Sequence, residues 1–264
     1  MWGQSGRNSS ALGDDNPDWS KIMFELSPPA VSAALERDPV TKNEETAPPS
    51  VPQVPERDFI TRNEGANIVI VRYRGTAKEL NINSTINGRT VVGIDYAAFA
   101  DMQINRINIP STVEFIGESA FANNQLTSLV IPLSVKRIGD SAFSGNQLQR
   151  ITIPESMSII ADGVFSDNRL TEVNLPRTVT TIGAGAFANN LLKLVHIPSG
   201  VSSVGERAFH NNQLTAATFE SGITSIGAGA FLNNAIATVD IPDTLGLAAL
   251  DAFDRGTAVN FLSK

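Results

Sequence analysis

From Ile109 onward the apolar and polar positions recur in a fixed order with a period of 22 residues. One aromatic column runs Phe99, Phe121, Phe143, Phe165, Phe187, Phe209, Phe231 and Phe253, each 22 residues from the last. Proline keeps the same interval at 110, 132, 154, 176, 198 and 242, with Glu220 alone breaking the column. One unit reads L-x-x-L-x-I-P-x-x-V-x-x-I-G-x-x-A-F-x-x-N-x, as in Leu126, Leu129, Ile131, Pro132, Val135, Ile138, Gly139, Ala142, Phe143 and Asn146. The alternation Leu129-Val130-Ile131 predicts a short strand whose outer two residues point inward. Pro132, which fixes φ and lacks a donor, turns the chain out of that ladder. Val135 and Ile138 predict a second extended segment on the opposite wall, and Gly139 lets the chain bend without a Cβ. Ser141 to Phe143 are expected to make a tight helical turn that drops the ring inside, and Asn146 to bond the backbone groups left over by that turn.

Such a unit cannot bury its own apolar face, so successive coils must stack. The predicted fold is a mainly β solenoid of seven to eight 22-residue repeats, with a parallel sheet, short second strands and short helical turns. Stacking at about 4.8 Å per coil would bring the eight phenylalanines, Phe99 through Phe253, into one interior spine. The last repeat departs from the pattern: Ala248 and Ala249 stand for Ile-Gly, Gly256 for Asn and Ala258 for Leu, as at the end of an array.

Ahead of the repeats, Asn67 to Tyr73 is rich in β-branched residues, Leu80 to Ile82 reads as a short strand, and Asn87-Gly88 between apolar flanks signals a type I′ hairpin. Residues 58–92 are therefore expected to be an N-terminal capping β module, and 93–264 the array. Residues 1–57 read as a proline-rich, largely disordered arm, since EETAPPSVPQVPER offers little apolar surface to offset ordering entropy. Within it, Trp19, Phe24, Leu26 and Leu35 form an apolar cluster that could dock on the domain.

Composition narrows the chemistry. The net charge is −7, and no basic field would attract nucleic acid. There is no cysteine, hence no disulfide, thiolate metal site or cysteine nucleophile, and the only histidines are His196 and His210. No apolar run approaches the roughly 18 residues of a membrane span. Met1 to Ala11 lacks the apolar core of a secretory signal, which fits either a cytoplasmic chain or one whose leader has been removed.

The recurring IPxxVxxIGxxAFxxNxLxxL resembles the BspA-like, or treponemal-type, bacterial leucine-rich repeats, and GTAKELNINSTINGRTVVGIDYAAF resembles their opening module. The family often has cysteine where Asn124, Gly145, Asn189 and Asn212 or their neighbours stand, and proline where Asn83 stands. The resemblance implies a leucine-rich-repeat solenoid of the cell envelope, surface or secreted space, and adhesin-like recognition of a protein or glycan, host extracellular matrix included. From the residues themselves, with no cysteine and two histidines, neither cofactor nor metal is expected.

The outward positions of the Leu-x-x-Leu-x-Ile segments supply candidate sites. Ser128 lies three coils from His196 and Asp240 two, too far for a dyad at about 5 Å per coil. Glu172 and His196 occupy adjacent coils, within pairing reach of each other, as a surface His beside a surface Glu. Leu194 points outward, and Leu191 replaces the polar residues of its column (Gln125, Gln147, Arg169, Gln213), so that Leu191, Leu194, His196, Glu172 and Ala216 form the candidate binding spot. On the opposite wall Phe115, Ile159 and Leu247 interrupt a polar column as a second apolar patch. The reading is a non-enzymatic binding protein. The alternative is a structural or self-assembling envelope protein without a foreign ligand.

Overall fold

The computed structural model describes residues 53–262; the Trp19 to Leu35 cluster and almost all of the arm lie outside them. The described region starts ahead of Asp58, because Gln53 bridges Asn81 and Val54 is buried in the core. The capping module consists of β1 (Phe59–Glu64), β2 (Asn67–Tyr73), β3 (Glu79–Asn81), β4 (Thr85–Ile86) and β5 (Arg89–Ile94). β1 and β2 form an antiparallel hairpin, as do β4 and β5 around Asn87 (φ 49°) and Gly88 (φ 73°), the two positive φ values a type I′ turn demands. β2 then pairs in parallel with β5, and this bond converts a hairpin into the first rung of the solenoid.

The array continues as β6 (Arg106–Asn108), β7 (Phe115–Ile116), β8 (Arg137–Ile138), β9 (Ile159–Ile160), β10 (Thr181–Ile182), β11 (Leu194–Ile197), β12 (Ser203–Val204), β13 (Ala216–Phe219), β14 (Ser225–Ile226), β15 (Thr238–Pro242) and β16 (Ala258–Leu262). Two walls result. On the wall of the second segments, β5, β7 and β8 pair in parallel, and so do β9, β10, β12 and β14. On the wall of the Leu-x-x-Leu-x-Ile segments, pairing among the described residues is confined to Gln53 with Asn81, β3 with β6, a bridge between Thr152 and Asn174, β11 with β13, and β15 with β16. Proline at the end of most of these segments withholds the donor that would lengthen them.

The two halves of the second-segment wall meet where the glycine of the unit is missing. A Cβ built on Gly117, Gly139, Gly183, Gly205 or Gly227 would lie 2.4–2.7 Å from the preceding coil, and the N–H of each of Gly139, Gly183, Gly205 and Gly227 donates to a carbonyl of that coil at 2.7–2.8 Å. Ala161 occupies this column between β8 and β9, and those strands are unpaired. Its methyl group holds the coils apart. The Asp140 carboxylate bridges the gap by accepting from the Asp162 N–H at 3.2 Å.

The turn expected to be helical is not. Ala97, Ser119, Ser141, Gly163, Gly185, Arg207 and Gly229 all have φ of 48–64°, in the left-handed region that a helical turn does not visit. The turn instead points its N–H groups along the stack: Ser141 donates to Asp162 O and Phe143 to Val164 O, coil after coil. Among the described residues the only helical pieces are 3-10 turns, Glu56–Asp58 at one end and Asp243–Leu245 and Leu247–Ala252 at the other.

Inside, the eight rings of the expected spine are all buried and stack face to face in chain order. The centroids of Phe99, Phe121 and Phe143 are 5.0 and 5.3 Å apart. The longest step, 6.0 Å from Phe143 to Phe165, spans the gap at Ala161. Beyond it Phe187 lies 5.7 Å from Phe165, Phe209 lies 5.3 Å from Phe187, Phe231 another 5.3 Å on, and Phe253 ends the column 5.1 Å from Phe231. The stack runs on into the cap through Tyr73, at 5.6 Å from Phe99, and Phe59. Burial holds the Tyr73 phenol above its ordinary range, its oxygen accepting from the Ala77 N–H. Beside the rings runs a ladder of amides. Asn168 Nδ2 donates to the carbonyls of Phe143, Phe165 and Ser166, while its Oδ1 accepts from Leu148 N–H, and Asn124, Asn146, Asn190, Asn212 and Asn234 repeat the scheme. Each carboxamide thus satisfies backbone groups that the turns leave inside the protein, where an unpaired one is costly.

Candidate functional site

The repeat that breaks the proline column also breaks the monotony of its wall. Glu220 has the N–H that proline lacks and donates it to Ile197 O at 2.9 Å. The pair β11 and β13 consequently extends over four residues each, in register from Leu194 opposite Ala216 to Ile197 opposite Phe219. Side chains at alternate positions of this pair face outward, which sets Leu194 beside Ala216 and His196 beside Thr218.

The Glu220 carboxylate gathers its neighbours around it. Its Oε2 accepts from the Ser199 N–H at 2.9 Å, and its Oε1 lies 3.2 Å from His196 Nε2 and 3.3 Å from an Arg177 guanidinium nitrogen. The Ser199 backbone and hydroxyl donors, with His196 and Arg177 behind them, hold the carboxyl below the usual carboxylate range. His196 Nδ1 meets Thr218 Oγ1 at 2.9 Å. His196 does not pair with Glu172, its neighbour on the adjacent coil: Glu172 binds Arg150 of the preceding coil at 3.2 Å, and His196 turns to the following coil. Sequence reasoning missed Glu220 and Thr218, although the signal for Glu220 is present as the one exception in the proline column.

Thr218, His196 and Glu220 have the outline of a nucleophile, base and acid. Two nearby donors are already engaged: the Ser199 N–H serves Glu220 and the Glu220 N–H serves Ile197. What the arrangement can do is present a fixed polar cluster, His196, Thr218, Glu220 and Arg177, beside the aliphatic Leu194 and Ala216. Leu191 lies at the edge of this spot, 38% exposed, while Leu194 and Ala216 are half-buried.

The second candidate patch is not contiguous. The Phe115 ring lies over Gly93, where an added Cβ would sit 2.2 Å from it, and Arg137 stacks on the ring at 4.7 Å. Ile159 is exposed beyond the unpaired β8–β9 junction, and Leu247 lies four coils further along. Sequence reasoning also passed over Val130 and Leu133, the most exposed large hydrophobic residues of the described region at 80% and 76%. Among the described residues no group of three or more histidine, aspartate or glutamate side chains is arranged to hold a metal ion.

A parallel stack of coils with leucine and isoleucine inside, an asparagine ladder and a sheet face carrying the polar cluster defines a leucine-rich-repeat solenoid. The chain belongs to the BspA-type leucine-rich repeat family, whose model matches residues 76–193 and 180–261 in six copies. Among solved structures it is similar to the leucine-rich repeat protein of T. pallidum, with a TM-score of 0.56 and 24% identity over 81% of this chain and 100% of that one. It is also similar to a leucine-rich cell surface protein of Faecalibacterium prausnitzii A2-165, with a TM-score of 0.51 and 21% identity over 76% and 73% of the two chains. At these identities the likeness is one of fold. No curated protein matches the chain.

Proposed function

We propose that the chain is a non-enzymatic binding protein that recognises a protein ligand with its β11–β13 face. The observation that supports this reading is the substitution of Glu220 for proline, which widens the sheet at one place only in the middle of the array and fixes His196 and Arg177 there, next to Leu191, Leu194 and Ala216. An apolar spot rimmed by anchored polar groups offers both burial and register to a partner. Repeat solenoids of this family commonly mediate protein–protein contact, and no helix among the described residues is long and apolar enough to cross a membrane. A surface or secreted location, with matrix proteins or glycans as ligands, is the finer form of the same proposal.

The test is binding of the full chain to a panel of matrix proteins and glycans at physiological salt, with Leu191→Ser/Leu194→Ser and Glu220→Gln in parallel. Saturable binding that falls at least tenfold in the double variant, and falls also in Glu220→Gln, supports the site. Binding indifferent to all three substitutions would move it elsewhere, and no binding to any member would leave adhesion unsupported.

A further inference from the structure

The sheet face around β11 and β13 and the turn corner of the array carry charge of opposite sign. Along the corner, Glu118, Asp140, Asp162 and Glu206 share one column and are all exposed. Among the described residues only Glu206 of these has a base within ion-pair reach, Arg207 at 3.8 Å. On the sheet face, the outward acids of β11, β13 and the segment before them are Glu172 and Glu220. Both are engaged within the chain, Glu172 by Arg150 at 3.2 Å and Glu220 by His196, Arg177 and the Ser199 N–H. Arg169 and Lys193 are exposed on the same coils and have no acidic partner among the described residues.

These two bases bracket the aliphatic spot. Leu191 donates its N–H to Leu170 O at 2.9 Å, so it sits one coil past Arg169 in the same column, a step of about 5 Å. Lys193 stands in the chain between Leu191 and Leu194. A guanidinium offers a carboxylate two parallel donors, and an ammonium offers a compact point charge. In open water such pairs contribute little. A ligand that also covers Leu191, Leu194 and Ala216 displaces the water around them, and the attraction rises as the local dielectric falls. The outward positions of these coils hold no aromatic ring for a nucleic-acid base to stack on. The aliphatic spot asks for an apolar side chain, which a sulfated glycan lacks.

We infer that the ligand of this face is an acidic peptide segment, whose carboxylates meet Arg169 and Lys193 while an aliphatic side chain between them rests on Leu191 and Leu194. This assignment rests on the β11–β13 face being the binding face. The acidic corner repels the same segment, so charge complementarity directs it to the sheet face and raises the rate of encounter there.

The test uses the full chain and three fluorescein-labelled peptides, EELEELEE, QQLQQLQQ and KKLKKLKK, with the parent, Arg169→Glu/Lys193→Glu and Leu191→Ser/Leu194→Ser. EELEELEE is expected to bind the parent saturably, to weaken as salt rises, and to bind each double variant at least tenfold more weakly. QQLQQLQQ is expected to bind the parent at least tenfold more weakly than EELEELEE, and KKLKKLKK to prefer the charge-reversed variant. Arg169 and Lys193 are exposed, so circular dichroism and melting should not change on their reversal. No binding of EELEELEE by the parent, equal binding of QQLQQLQQ, or binding indifferent to charge reversal would each overturn the inference. Heparin binding lost on charge reversal, without peptide binding, would put a polyanionic glycan in the peptide's place. The reading of the face fails separately. A matrix protein whose binding is lost in Leu191→Ser/Leu194→Ser but kept in Arg169→Glu/Lys193→Glu would sink the acidic class and leave the face, whereas binding indifferent to both variants would remove the face itself.

Discussion

The two ends of the described stack are built in opposite ways. At the N-terminal end the phenylalanine column is closed by Tyr73 and Phe59, the β1–β2 hairpin turns the chain antiparallel, and Arg62 binds Glu64 and Asp95 across the wall. At the C-terminal end Gly256 stands where the amide ladder would continue, and Phe253 is the last ring of the stack. A linear stack has no closure of its own; whatever covers its ends must come from added sequence or from another molecule. The cap devotes residues 53–94 to this task, and no comparable element is present among the described residues after Leu245.

The largest expected effect comes from the ring column. Phe121→Ala, beside the cap and packed between Phe99 and Phe143, should cost about 3–5 kcal/mol in denaturant unfolding. Phe253→Ala should cost about half as much, since Phe253 has a ring on one side only and the terminal coil can relax. Equal losses would mean that the two ends are equally well packed. Next is the amide ladder. Asn168→Ala strands several carbonyls in the interior and should cost about 1–3 kcal/mol or more by the same measurement.

Smaller still is the effect of the interruption at Ala161. Ala161→Gly would allow β8 and β9 to pair, gaining about 0.5–1.5 kcal/mol per hydrogen bond, set against a glycine cost of about 0.5–1 kcal/mol. A net change within about 1 kcal/mol is expected, and slower amide exchange at residue 161 is its clearer sign. The converse, Gly183→Ala, places a Cβ 2.4 Å from the Asp162 carboxylate and 2.7 Å from the preceding backbone, and should destabilise by about 1–3 kcal/mol. The smallest effect is that of pH on the cap. The hydrogen bond from Arg62 lowers the Asp95 pKa in the folded protein, so its contribution is present above the ordinary carboxylate range and is lost as the pH falls through the lowered value. Asp95→Asn should flatten that part of a stability-versus-pH curve and lower the curve above it by a constant amount, without changing its shape there.

The period of 22, the prolines and the phenylalanines are enough to read a stacked solenoid, because each marks a constraint that recurs at every coil. Phe187, Phe209 and Phe231 show how far that legibility reaches: each follows from the period alone, and each ring lies where the period puts it. Phe59 and Tyr73 escape such a reading, since neither falls on the period, and only the chain path through the cap brings them onto the stack. The candidate spot is legible in the same partial way. Leu191 and Leu194 stand out against polar columns, yet the partner of His196 depends on which neighbouring coil its side chain leans toward, and the geometry chose Thr218 and Glu220 over Glu172.

What the sequence by itself determined was the repeat: which residues lie inside, where each strand stops, and which amide satisfies the turn. These follow from local pattern, with apolar residues spaced for burial, a proline without a donor and an asparagine with both donor and acceptor. The tertiary structure alone decided the left-handed turns in place of helical ones, the break in pairing at Ala161, and the cluster around Glu220. Each of those depends on how closely one coil approaches the next, a distance set by contacts 20 to 25 residues apart in the chain, which no single repeat encodes.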